Sequence, residues 1–582
     1  MRRASPRILP CTVTADPDTA AAPRRASAGN SNAPGSPATM PGTAGWTLRC
    51  GLLLLALAAL WFGLLGQRSL IHSDEGRYAT LALGMLRSGD WVTPRLNGLL
   101  YFEKPVLAYW IGAAAFQVFG INEFAARLWP ALAGFLTVLL VGYTGARLWG
   151  RETGLRAAAV AASATWMVGN SHFLTLDMGL TLCLTLVLCA LLMAQREDLD
   201  ATSRRAWMWA AWAGMALAVL SKGLVGIVIP GATLVIWSAW QRSFGFWRRM
   251  HWTSGLAIAL AIAAPWFIAV SLRNPGFADF FFIHEHFARY LTKVHHREGA
   301  WWYFVPLLLV GLLPWTGALP WLRPGQDEAV SARRMLLAWC GFIFVFFSAS
   351  GSKLPSYILP MFPALALLVA DALRRASPRA LQRHLLVLGL GGVAVMAVAT
   401  QYGRFVSPSL PLDAARALGR GALAGAAVFL VGVLLASGWL RRARVSAAVL
   451  SLAFAQTAAV LIVMQSHDTY GQLKSAAPIA AALQGELAPH TPVFAVRSYD
   501  QSLPFYLRRT VTLVDYVDEF AYGEQHEPER WIPTLDAFML RWQAAPHALA
   551  YMTHETLRNL REAGFQARVV YQDARRVVVA KP

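Results

Sequence analysis

The residues able to do chemistry fall in a few short stretches between long apolar runs of the 582-residue chain. LIHSDEGRYAT, residues 70–80, carries His72, Asp74, Glu75 and Arg77, and YFEKP follows with Tyr101, Glu103 and Lys104. LTLDMGL sets Asp177 at the mouth of an apolar helix, with His172 just before it. FFIHEHFARYLTKVHHREG supplies His284, Glu285, His286, Arg289, Lys293, His295, His296 and Arg297, and SGSKLPSYILP supplies Lys353 and Tyr357. This set suits chemistry on a lipid-linked phosphate. Lys and Arg hold a phosphate and neutralise charge that builds on it as it leaves. Carboxylates with histidine form a hard O/N donor set for a divalent cation. No P-loop, GxSxG, HExxH or CxxC element competes with that chemistry.

Plainer roles exist for each residue. Asp177 can be a helix N-cap, a loop histidine is often only solvated, and Arg77 and Lys104 can anchor to lipid headgroups. The adjacent pair Asp74 and Glu75 is harder to dismiss. Carboxylates near lipid are costly unless paired or used.

The elements that must position these groups are membrane helices. The chain is 56% hydrophobic and 14% charged, with a mean hydropathy of +0.43, well outside the habit of soluble domains. Thirteen apolar runs approach the length of a bilayer span: 46–66, 124–146, 155–170, 177–195, 207–220, 223–240, 253–271, 303–321, 335–350, 355–373, 384–402, 421–440 and 446–464. The net charge of +20 does not indicate nucleic acid, because the arginines sit in short clusters between the runs. Taking the N-terminus as cytoplasmic, the clusters at 147–156, 196–205, 242–249, 323–334, 374–383 and 441–444 fall in every second loop. This is the positive-inside pattern. The remaining loops then face outward, including 67–123, 272–302 and everything after 464. All the stretches named above fall on that outer face. Five scattered cysteines suggest neither a disulfide framework nor a zinc cluster.

Within the first outer loop, DEGRYATLALGMLRSG places Tyr78, Leu81, Ala82, Met85 and Leu86 at helical spacing, and KPVLAYWIGAAAFQVFG reads as an interfacial helix ended by Gly120. Three divisions follow. Residues 1–45 read as a disordered leader, with Met40 a second candidate start. Residues 46–470 form the membrane domain, and 471–582 a small α/β domain. In the last, TPVFAVR, TVTLVDY, HALAYMT and ARRVVVAK read as strands, and SAAPIAAALQGEL, LDAFMLRWQAA and HETLRNLREAG as helices.

DEGRYA, GDWVTPRLNGLLYFEKPVLAYW, TLDMGL, SKGLVGIVIPG, FFIHEHFARYL and SGSKLPSYILPMFPALALL together resemble the bacterial 4-amino-4-deoxy-L-arabinose lipid A transferases. These are GT-C membrane glycosyltransferases related to protein O-mannosyltransferases, and the similarity runs over 46–582. The resemblance implies a polytopic α-helical GT-C fold of about thirteen transmembrane helices, with interfacial helices and a small C-terminal α/β periplasmic domain. It also implies an inverting transfer of aminoarabinose from undecaprenyl phosphate to a lipid A phosphate at the periplasmic face of the inner membrane, giving polymyxin resistance. By the same resemblance Asp74 and Asp177 are catalytic. Arg77, Lys104 and Arg289 hold the carrier phosphate, and Tyr101 and Tyr357 line the substrate. Asp74, Glu103 and His284 form a divalent metal site for zinc or a similar ion. The expected partners are the undecaprenyl-phosphate-linked donor, lipid A and membrane lipids, with no nucleic acid and a monomeric chain. Two alternatives stay open: a polyprenyl-phosphate-sugar transferase acting on protein or another glycan, and a transporter of such lipids. A transporter would carry charges deep within its spans, whereas here they cluster at one interface.

Overall fold

The computed structural model describes residues 43–288, 299–322 and 330–582. Residues 1–42 of the expected leader therefore lie outside the described residues, as does Arg289 with the rest of the basic stretch to residue 298.

Helix occupies all or part of each of the thirteen apolar runs. The first eight of these helices are α1 (Thr43–Phe62), then α4 (Glu123–Trp149), α5 (Arg151–Ser163), α6 (Thr165–Ser171), α7 (Asp177–Ala194), α8 (Ala201–Lys222), α9 (Val225–Gln241) and α10 (Trp252–Arg273). The expected run 155–170 is thus broken at Ala164 into α5 and α6. Among the described residues, eight helical segments are long and apolar enough to cross a membrane: Glu123–Trp149, Asp177–Ala194, Trp252–Arg273, Ser331–Ala349, Pro355–Arg375, Pro378–Ala399, Leu412–Arg441 and Val445–Lys474. The chain is an integral membrane protein. The basic loops read as lying on one side also meet in space. Arg147 and Arg196 share Asp198, Arg156 bonds Ser446 at 3.0 Å, and Arg333, Arg374 and Arg375 converge on the buried Asp371 at 2.7, 3.0 and 2.7 Å.

The first outer loop is folded. α2 (Asp74–Ser88) buries Ala79, Leu81, Ala82 and Met85 and stops at Gly89, whose φ of 69° is left-handed. The Asn97-Gly98 pair, both at positive φ, turns a two-residue hairpin between β1 (Arg95–Leu96) and β2 (Leu99–Leu100). The second expected helix is α3 (Leu107–Phe119).

The C-terminal domain is a five-stranded sheet of order β4-β3-β5-β7-β6. Its strands are β3 (Val493–Val496), β4 (Thr512–Val514), β5 (Leu549–Met552), β6 (Arg568–Gln572) and β7 (Val577–Ala580). β3 runs parallel to β4 and β5, while β7 is antiparallel to β5 and β6. The four expected strands are present, and β6 is an addition. The two faces of the sheet have different neighbours. Val493, Ala495, Leu513 and Val578 share a core with Leu81, Met85, Tyr109, Trp266 and Phe277 of the membrane-facing part. Phe494, Val496 and Val579 pack instead on Phe538, Trp542 and Leu557. Burial on both faces is why these strands read as unbroken apolar runs.

The sheet domain approaches the first loop closely enough to require glycine at two points. A Cβ at Gly76 would lie 2.3 Å from the Ser502 nitrogen, and one at Gly523 would lie 2.9 Å from the Leu100 carbonyl oxygen. Around the second contact, Glu527 takes a hydrogen bond from Arg95 at 2.7 Å and another from the Leu100 backbone at 3.0 Å.

Candidate active site

One cavity of about 340 Å³ gathers groups from distant parts of the chain. Ser73, Asp74, Arg77 and Tyr78 reach it from the start of α2, and Glu103 and Lys104 from the segment after the hairpin. Asp177 comes from the start of α7, Lys222 from the end of α8, and Tyr357 from the turn after residue 354. The lining also includes apolar side chains, among them Leu180, Val225, Ile229, Phe346, Phe347 and Leu354. Charged and apolar groups in one cavity fit an amphiphile with a charged headgroup.

The charged groups are held in pairs. Arg77 donates to Asp74 at 3.2 Å across one helical turn, and on its other side to Glu519 of the sheet domain at 3.4 Å. Burial works against the Arg77 charge, yet the nearby Tyr101, Glu519, Tyr78 and Asp74 outweigh it and hold the guanidinium above its ordinary value. Lys104 lies 3.9 Å from the Glu103 carboxylate and donates to the Glu103 carbonyl at 2.7 Å. Asp177 accepts a short bond from Lys222 and one of 2.7 Å from Ser356. The Lys222 ammonium also sits 4.9 Å above the Tyr357 ring, so the cation is shared between a carboxylate and a π face. Among the described lining residues, three carboxylates thus meet three cations.

Asp74, Arg77, Glu103, Lys104, Asp177 and Tyr357 therefore share one cavity, although they arrive from four separate stretches. Tyr101 does not line it. Its side chain is 2% exposed and packs in the core behind the wall, close enough to Arg77 to act on its charge. The His284 side chain and Arg289 lie outside the described residues. Among the described residues no three His, Cys, Asp or Glu side chains form a metal-binding group. Asp74 and Glu103 do supply hard oxygen donors to the same cavity, Asp74 with 45% of its side chain exposed. They fit two positions of the expected cation site.

Three other residues behave differently from their sequence reading. Glu75, left without a role by the sequence, is fully buried. It binds Arg127 of α4 at 2.7 and 2.9 Å and accepts from the Leu174 backbone at 3.1 Å. Burial opposes ionisation of Glu75, but Arg127 outweighs it and keeps the carboxyl below the usual range. His172 is buried between the Val168 and Trp61 carbonyls at 2.8 and 2.7 Å. Lys353 folds back on the Ser348 and Ser350 carbonyls at 2.9 and 2.7 Å. None of the three lines the cavity.

Two groups in or at the cavity were not singled out by sequence: Lys222 and Ser356. Lys222 carried a usable signal. A lysine between two apolar runs, followed by a glycine that ends the helix at φ 86°, is an intramembrane charge that demands a partner. Ser356 carried none.

Comparison with known proteins follows the same division of the chain. The family described as aminoarabinose transferase C-terminal domain matches residues 479–581. The dolichyl-phosphate-mannose-protein mannosyltransferase family matches residues 46–281. The undecaprenyl phosphate-α-4-amino-4-deoxy-L-arabinose arabinosyl transferase of Pseudomonas aeruginosa LESB58 is 38% identical over 364 residues, covering 60% of this chain and 65% of that protein. Its counterpart in Erwinia tasmaniensis is 33% identical over 365 residues, covering 60% and 65%. These alignments thus span just under two thirds of the curated relatives. The crystal structure of ArnT from Cupriavidus metallidurans bound to undecaprenyl phosphate superposes with a TM-score of 0.88 at 37% identity, over 93% of this chain and 98% of that one. The apo structure of the same protein gives 0.88 at 36% identity. With the whole fold shared at that identity, the chain belongs to the ArnT family.

Proposed function

We propose that this protein is an inverting glycosyltransferase. It moves 4-amino-4-deoxy-L-arabinose from undecaprenyl phosphate to a lipid A phosphate at the periplasmic face of the bacterial inner membrane. The observation that carries the proposal is the cavity that Asp74, Arg77, Glu103, Lys104, Asp177, Lys222 and Tyr357 line together with apolar side chains. In the same proposal the membrane domain spans 46–470 with thirteen crossings, the domain from 471 is periplasmic, and the chain acts as a monomer. The names of the Pseudomonas and Erwinia relatives and the undecaprenyl phosphate in the Cupriavidus structure support the donor and the sugar.

The chemistry follows from the charges. The bond from the anomeric carbon to the carrier phosphate breaks, and undecaprenyl phosphate leaves with the electron pair. An oxygen of the acceptor phosphate attacks the opposite face and forms the new bond, which inverts the centre. Phosphate is already ionised near neutral pH, so Asp74 has no proton to take. Its role is to position and to stabilise developing positive charge on the sugar. Arg77 and Lys104, with Arg289, hold the carrier phosphate and neutralise it as it departs. Lys222 fixes Asp177 at the far side of the cavity, and Tyr357 lines the substrate. Asp74, Glu103 and His284 would hold a divalent cation, which would add charge neutralisation at the phosphate when bound.

The test is purified protein in detergent with lipid-linked aminoarabinose and lipid A, read by mass spectrometry. The expected result is lipid A heavier by one aminopentose, lost in Asp74→Asn. Sugar added to protein or to another glycan would establish the alternative acceptor instead. Lipid equilibrated across liposomes with no transfer would make the protein a transporter. In cells, deletion should increase polymyxin sensitivity, and unchanged sensitivity would count against the reading.

A further inference from the structure

Arg77 is not held by its own helix alone. Glu519, 442 positions later, grips the side of its guanidinium opposite Asp74, and Glu519 is in turn held by the Gln501 side-chain amide. The same segment fixes α2 twice more. The Thr80 hydroxyl donates to the Gln501 carbonyl at 2.9 Å, and Gly76 lies against the Gln501 and Ser502 backbone. Residues 76, 77 and 80 share one face of α2, so the sheet domain sets both the helix and the cation that bonds Asp74. Glu519 is 6% exposed and Arg77 13% exposed, whereas Asp74 is 45% exposed and, among the described residues, takes its side-chain hydrogen bond from Arg77. Glu519 itself is absent from the cavity lining.

We infer that Glu519 is a positioning residue for the reaction: through Arg77 it fixes the Asp74 carboxylate, and the C-terminal domain is thereby a working part of the active site. This rests on the function proposed above. Misplacing a reacting group by a fraction of an ångström costs far more in turnover than in binding, so Glu519→Gln should lower kcat about tenfold. The KM for the lipid-linked donor should rise by less than kcat falls, because Arg77 keeps its charge and its bond to Asp74. The thermal unfolding midpoint should fall as well, since Glu519 is a largely buried partner of Arg77, so the split between kcat and KM carries the test.

The experiment is steady-state transfer by full-length protein, comparing wild type, Glu519→Gln and Gln501→Met. The second variant removes the amide that holds Glu519 and keeps both charges. It should show the same pattern with a smaller loss, and it carries the test if Glu519→Gln fails to fold. Unchanged kcat in both variants overturns the inference. So does a KM raised as much as kcat falls, or more, which would mark a contact that only maintains the binding site. Wild-type protein that transfers no aminoarabinose to lipid A would instead overturn the proposed function, and this role with it.

Discussion

Glu75→Gln should destabilise the protein far more than Asp74→Asn, although the two residues are neighbours. Glu75 and Arg127 are both fully buried and joined by two bonds of 2.7 and 2.9 Å. Arg127 also donates to the Leu65, Arg68 and Ser69 carbonyls at 3.3, 2.6 and 2.9 Å, so it cannot leave when its carboxylate is lost. Removing one partner of a buried pair costs about 3–5 kcal/mol. Glutamine keeps the shape and one acceptor, which puts Glu75→Gln at the lower end. Asp74, nearly half exposed, should cost less than about 1 kcal/mol. Thermal and denaturant unfolding of the purified protein in detergent, followed by tryptophan fluorescence, reads both. The pH dependence has a definite sign. Because Arg127 holds the Glu75 carboxyl below its ordinary value of 4.5, the pair's stabilisation is complete above that value. It is lost as pH falls through the lower folded value. A wild-type midpoint in Glu75→Gln, or equal losses in both variants, would refute the division of the two carboxylates into structure and chemistry.

Asp74→Asn should lower transfer by about a hundredfold or more with an unchanged unfolding midpoint, and retained activity would remove Asp74 from the mechanism. Lys222→Met leaves Asp177 with Ser356 as its remaining partner among the contacts described, and the transfer rate should fall by more than about tenfold; activity assays with a melting control decide it. Glu524 has both carboxyl oxygens buried without a hydrogen-bond partner among the described residues, and burial raises its pKa to about 7. Its ionisation therefore works against the fold. Stability should fall as pH rises from about 4.5 through about 7, and Glu524→Gln should flatten that slope in unfolding curves. Gly76→Ala forces a methyl into the Ser502 backbone and should cost about 1–3 kcal/mol, visible as a lower midpoint.

Much of the fold was written locally. The apolar spacing of α2, its stop at Gly89, the Asn-Gly turn and four apolar strands each depend on a few adjacent residues. β6 escaped because RVVYQ is a largely exposed edge strand with an irregularity between Val569 and Tyr571, so it has neither alternation nor a continuous apolar run. The break at Ala164 lies inside a run whose composition does not change. In the site, residues with chemical side chains were visible as types, but their partners were not. Glu75 has no assignable role until Arg127, 52 positions away, is brought against it. Tyr101 reads as a lining residue because its motif neighbours Glu103 and Lys104 do line the cavity. Only packing turns it inward. Lys222 was legible as an odd charge between spans, and Ser356 and Glu519 became meaningful only through tertiary contact.

The bridge from Arg77 to Glu519 also orders events during synthesis. The helices that form the cavity leave the ribosome first, and everything lining it has been made by residue 360. The carboxylate that steadies its arginine is made more than 150 residues later. A chain released early by a premature stop would carry the full set of lining residues but lack both the strut and the sheet-domain residues that complete the core around α2. The geometry of the cavity is therefore finished only when the last domain is made.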